Sequence, residues 1–166
     1  MAAYGTDQGF TDWLAEQGYS LPPSAPSPAV LRARGSAYVD GYEAFWTGYR
    51  TNGVMQELAW PRTGATVNCV QPVPVDAIPP AVVNASYRAG WLDAQTPGIL
   101  IGSSASLGQR VKRELVEGAV DVEYFDDGKA ERSGGPSFID SQIDGWLSAF
   151  ICDDSKGMAF MWTLGS

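Results

Sequence analysis

The chain has 166 residues, 45% of them hydrophobic, which is enough for one compact domain with a core of its own. Lys and Arg number 11 against 19 Asp and Glu, a formal net charge of −8 with a pI near 4.4. That balance argues against a protein whose main work is neutralising phosphates, because nucleic-acid affinity comes mostly from cationic side chains. Histidine is absent and the cysteines are two, Cys69 and Cys152, so Cys/His zinc sites and histidine acid–base catalysis are excluded.

Two thiols do not make a disulfide framework. The expectation is a reducing, cytosolic setting with both cysteines as core or bystander residues. The start, Met1-Ala2-Ala3-Tyr4-Gly5, has neither the basic nor the apolar region of a signal peptide. No apolar run approaches the ~20 residues a membrane helix needs, so a soluble chain without a membrane partner is expected.

A first helix is predicted over residues 7–17. Thr6 is its N-cap, Asp7 suits the positive helix end, Phe10, Trp13 and Leu14 share one face, and Gly18 stops it. Residues 21–28 carry repeated proline and read as an extended connector. A second helix is predicted over residues 29–49, with Leu31, Tyr38, Tyr42, Phe45 and Tyr49 at helical spacing. Gly35, Gly41 and Gly48 each weaken it by roughly 1 kcal/mol relative to Ala, or let another backbone approach. Arg50-Thr51-Asn52-Gly53 reads as a turn.

Next comes Gln56-Glu57-Leu58-Ala59-Trp60-Pro61-Arg62-Thr63-Gly64-Ala65. Pro61 has no backbone N–H and keeps Trp60 out of the α region, so the piece is a rigid connector. Leu58 and Trp60 can bury a large apolar area with Arg62 charged beside them. Residues 66–76 read as a Val/Pro loop. A third helix starts at Pro79 or Pro80 after Ile78. Val82, Ala85, Ala89 and Leu92 line one face and Val83, Tyr87 and Trp91 another, so it is expected to be central, until Thr96-Pro97-Gly98 ends it. Residues 111–125 alternate as a β-hairpin, with Val111, Arg113 and Leu115 set against Val120, Val122 and Tyr124. A last helix is predicted over residues 136–150. Ile139, Ile143, Trp146, Leu147 and Phe150 make its stripe, and Asp140 and Asp144 face solvent. The fold class is therefore mainly α: a small bundle of about four helices, residues 1–150, with an inserted hairpin, then an extended C-terminal tail, residues 151–166.

The tail ends in Met158, Phe160, Met161, Trp162 and Leu164. Large apolar side chains at a chain end want a surface to cover them. Docking on another protein is expected over folding back on the chain's own core.

Chemistry-bearing constellations are sparse. A Ser or Cys nucleophile would have no histidine partner. Asp121/Glu123, Asp126/Asp127 and Asp153/Asp154 pair carboxylates, but solvated surface accounts for them better than metal or catalysis. Gly102-Ser103-Ser104 lacks the ending of a phosphate loop. Arg110, Lys112 and Arg113 form a short basic cluster followed at once by Glu114 and Glu117. No catalytic, metal or cofactor residues are assigned, and no enzyme is expected.

The run Leu58-Ala59-Trp60-Pro61-Arg62 resembles the signature of tailed-phage head–tail connector adaptor proteins, a group also labelled DnaT-like single-stranded-DNA-binding proteins. Asp76-Ala77-Ile78-Pro79-Pro80-Ala81-Val82 is similar to that group's next helix start, and residues 111–124 to its basic-to-acidic hairpin. The likeness runs from Ala29 to Ile151 and is structural, carrying no active site. It implies a mostly helical subunit that forms a ring, usually dodecameric, on the portal. Such a ring joins the capsid to a stopper or tail-side neck protein and extends the channel through which DNA passes. It implies a virion neck location after assembly in the host cytoplasm. By position, Met158, Phe160, Met161, Trp162 and Leu164 would anchor the chain on the portal. An acidic wall with Asp121 or Glu123 facing the channel would let DNA slide. The alternative is a single-stranded-DNA-binding protein whose aromatics stack bases.

Overall fold

In the computed structural model, residues 2–101 and 140–152 are described. Among the described residues four α-helices carry the fold: α1 Asp7–Gln17, α2 Pro28–Asp40, α3 Pro80–Gln95 and α4 Ser141–Leu147. Four two-residue strands form two antiparallel pairs, β1 Tyr49–Arg50 with β2 Arg62–Thr63 and β3 Thr66–Val67 with β4 Gln71–Pro72. The class is mainly α.

Helix α1 forms where its caps place it. The Thr6 hydroxyl accepts from the Gly9 N–H, Gly18 closes the end in the left-handed region, and Phe10, Trp13 and Leu14 are buried. Helices α2 and α3 are the centre of the molecule, and their backbones touch. A Cβ on Gly35 would lie 2.0 Å from the Ser86 carbonyl oxygen, and one on Gly90 would lie 2.6 Å from that of Leu31. Both α1 and α4 lean on α3, so its two apolar faces are used, as its pattern predicts.

The core has two parts. One gathers Tyr38, Val39, Trp46, Trp60, Val82, Ile143 and Phe150 around the α2–α3–α4 junction. The other joins Phe10, Trp13 and Leu14 to Leu31, Tyr87 and Ala94. Between the helices Tyr19 stacks on Trp91 with centroids 4.2 Å apart.

Several expectations need correction. The helix predicted over residues 29–49 ends at Asp40, followed by a turn, a 3-10 turn at Glu43–Phe45 and strand β1. Gly48 keeps the last part of that range out of a helix: its φ is +72°, and a Cβ there would lie 2.3 Å from the Thr63 carbonyl oxygen. Only a bend at glycine lets β2 come this close. Tyr49, placed at helical spacing with the aromatic residues of that helix, instead stands in β1 and is 66% exposed. The Val/Pro loop contains the β3–β4 hairpin, whose turn holds Asn68 and Cys69 at positive φ. Asp140 is not a solvent residue. Its carboxylate caps α4 by accepting from the Gln142 and Ile143 N–H groups and pairs with Arg88. The helix accordingly starts at Ser141, after the predicted start. The cysteines are not free thiols: Cys69 and Cys152 are joined as a disulfide with Cα atoms 5.5 Å apart. Their separation of 83 residues hid the pairing. The hairpin predicted over residues 111–125, Ile139 and the tail from residue 153 lie outside the described residues.

Candidate functional site

The Trp-Pro-Arg connector is an architectural node. Trp60 and Ala59 are buried in the core, Leu58 is half-buried against it, and Arg62 is only 4% exposed. Arg62 is held by main-chain acceptors. Its Nε donates to the Thr47 carbonyl at 3.0 Å, Nη2 to Gly48 at 2.6 Å and Nη1 to Ala59 at 3.3 Å. Nη1 also reaches Glu43 Oε1 at 3.2 Å, and the guanidinium lies over the Trp46 ring. A planar cation with forked donors fits this cage; a lysine ammonium would not.

Glu43 holds a second arginine. Arg50 donates from Nε and Nη2 to its two oxygens at 2.8 and 2.6 Å. Those bonds, with Arg62 adding to them, keep the Glu43 carboxyl below its usual range. Gln56 ties the loop from within, its Nε2 donating to the carbonyls of Leu58 and Pro61.

The N-terminal segment closes the node from the other side, which the sequence did not signal. Tyr4 is fully buried. Its hydroxyl donates to Asp40 and accepts from the Trp60 N–H at 3.2 Å, while Asp40 also accepts from the Ala59 N–H. Burial, with the Asp40 charge second, pushes the Tyr4 hydroxyl up, and burial pushes the Asp40 carboxyl up. Tyr4 N–H donates to the buried Ser36 hydroxyl. Downstream, Ile78 lies near the surface and Pro79 is buried as the N-cap of α3, so the second half of the motif places that helix.

Two surface properties bear on partners. First, the loop after β1 presents Val54 at 94% and Met55 at 88% exposure beside exposed Tyr49. The Thr51 hydroxyl donates to the Val75 carbonyl at 2.7 Å, which brings exposed Val75 to the same edge. Second, every basic side chain of the described residues is an arginine in an internal ion pair: Arg32 with Asp7, Arg34 with Asp93, Arg50 and Arg62 with Glu43, Arg88 with Asp140. A groove of about 570 Å³ between α2 and the end of α3 is lined by the Arg34–Asp93 pair and by Leu100 and Ile101. Among the described residues, no three His, Cys, Asp or Glu side chains are gathered as metal ligands. Met158, Phe160, Met161, Trp162 and Leu164 lie outside the described residues.

A mainly helical domain built on a buried Trp-Pro-Arg node, with each arginine of the described residues paired to a carboxylate, is the class these features define. The model of the family described as "Putative DnaT-like ssDNA binding protein" matches residues 2–164, and the chain belongs to that family. No match was found among curated proteins or among solved structures.

Proposed function

We propose that this chain is a structural subunit, the head–tail adaptor of a tailed bacteriophage, rather than an enzyme. In this reading copies form a ring, a dodecamer by resemblance, that docks on the portal, links the capsid to a stopper or tail-side neck protein and extends the DNA channel. The subunit is made in the host cytoplasm and ends in the virion neck. No helix among the described residues is long and apolar enough to cross a membrane.

The observation that carries the reading is the charge arrangement. Phosphate binding releases counterions in proportion to the cations offered, and the described fold offers cations already matched by carboxylates. What it does expose is an apolar edge at Tyr49, Val54, Met55 and Val75, the kind of surface that marks a protein contact. The apolar residues Met158, Phe160, Met161, Trp162 and Leu164 are the portal anchor in this account.

A second reading, single-stranded-DNA binding, is favoured by the description of the family. Its cations would be Arg110, Lys112 and Arg113, outside the described residues. A mobility-shift assay at low salt separates the two. The adaptor reading expects weak retention of an oligonucleotide. Tight binding that falls steeply with salt would favour the second reading.

A further inference from the structure

Residues 148–152 end the described chain as a 3-10 turn, Ser148–Phe150, followed by Ile151 and Cys152. They are seated on the hairpin side of the molecule by four kinds of contact. Phe150 is buried edge-on against Trp60, with centroids 5.3 Å apart. The Asn68 N–H donates to the Ala149 carbonyl at 2.7 Å. Ile151 makes an antiparallel bridge with Trp46. The Thr66 hydroxyl meets Cys152 Sγ at 3.7 Å. The disulfide to Cys69 comes on top of these.

These contacts are made without the sulfur bond, so the segment has reason to stay seated when the bond is open. They also hold the two cysteines together, with Cα atoms 5.5 Å apart, within the span a disulfide requires. The effective concentration of one thiol near the other is therefore high, and closure is intramolecular. Cys69 itself stands in the exposed turn between β3 and β4, flanked by exposed Asn68 and Val70. An exposed disulfide is open to attack by a small thiolate, whereas one sealed in a core is not.

We propose that Cys69 and Cys152 form a reversible thiol–disulfide site that fastens the end of the helical fold to the β3–β4 turn, with small dithiols and small disulfides as its exchange partners. Opening begins with attack of a dithiol's thiolate on the sulfur of Cys69, the more exposed of the two residues. The Cys69–Cys152 bond breaks, a mixed disulfide forms at Cys69, and Cys152 leaves as a thiolate that takes up a proton. The second thiol of the reagent then displaces Cys69, which also takes up a proton. The reagent is oxidised to its cyclic disulfide by two electrons, and the protein gains two thiols. Closing runs the same steps backward with an oxidised dithiol. The site stands on geometry alone and is independent of the adaptor reading.

The test uses the whole purified chain in native buffer with dithiothreitol or its oxidised form, followed by thiol alkylation and intact-mass measurement. In oxidised reagent neither cysteine should alkylate; in native dithiothreitol both should, without denaturant. Reduction should lower Tm by about 5–15 °C and speed exchange of the Asn68 amide while the far-ultraviolet spectrum stays unchanged. The variant C69S/C152S should have the Tm of the reduced protein and show no response to either reagent. Alkylation of both thiols in the oxidised reagent would overturn the site. So would resistance to dithiothreitol until the protein unfolds, or an unchanged Tm on reduction.

Discussion

Arg62 shows how one buried cation can organise a loop. Its guanidinium satisfies three carbonyls of two different loop segments and half of a carboxylate. Replacing it by alanine strands those acceptors inside the fold and leaves Glu43 to Arg50 alone. Arg62→Ala should cost about 3–5 kcal/mol, read as a shift of the urea midpoint. Arg62→Lys should recover only part of this, because a point charge cannot fork between Thr47, Gly48 and Glu43. A loss under about 1 kcal/mol for the alanine variant would mean the node is not held this way. The same site sets a pH response. The Glu43 carboxyl titrates below its ordinary value of 4.5, so its contribution is present above pH 4.5 and is lost as pH falls through the lowered folded value. Asp40 runs the other way. Burial raises it above 3.8, so its ionisation opposes folding and acidification relieves that cost. Glu43→Gln should flatten the fall of Tm below pH 4.5, and Asp40→Asn should steepen the slope just above pH 3.8; a Tm–pH curve that neither change alters would contradict both assignments. The Trp-Pro-Arg run was legible as rigid, because proline forbids helix locally. Tyr4 and Asp40 were not, since nothing near them in sequence reveals a partner 36 positions away.

Among the elements, the glycines separate packing from propensity. Gly35 and Gly90 sit where α2 and α3 cross with no room for a methyl group, the obstacle being main chain. Gly35→Ala should cost about 1–3 kcal/mol or more by forcing the helices apart. Gly145, in α4, has nothing within 4 Å of its would-be Cβ. Gly145→Ala should therefore gain about 0.5–1 kcal/mol from propensity alone. Equal effects at the two positions, measured by thermal unfolding, would dismiss the close crossing. The contrast also explains what could be read in advance. Helix α1 was legible to the residue because its N-cap, apolar stripe and C-terminal glycine all agree. Helix α2 was predicted nine residues too long, ending at Tyr49 where the chain leaves the helix at Asp40. Its aromatic spacing continues past the point where Gly48 lets β2 approach. Periodicity reports which side chains could share a face; it does not report which backbone must pass nearby. Start of α4 was misplaced for a related reason: Asp140 is tied to Arg88 on another helix, a tertiary partner that turns a surface residue into a cap.

For the whole molecule, acidity alone argued only weakly about partners, since net charge says nothing of distribution. Pairing of each described arginine with a carboxylate turns that into a statement about the surface of the described residues. The disulfide was the least legible feature, because two distant cysteines carry no spacing signal. The family is shown by its match to residues 2–164; the assembly role we propose rests on the pairing of the described arginines, with the apolar edge at Val54 and Met55 as the contact surface. The most direct test is the particle mass of the purified chain, alone and mixed with portal protein, for the full sequence and for a form truncated before Met158. The account predicts a multi-subunit ring that joins the portal, and a truncated subunit that keeps its helical spectrum but no longer attaches. A full-length chain that stays a single subunit in every mixture, or a truncated form that attaches undiminished, would contradict it.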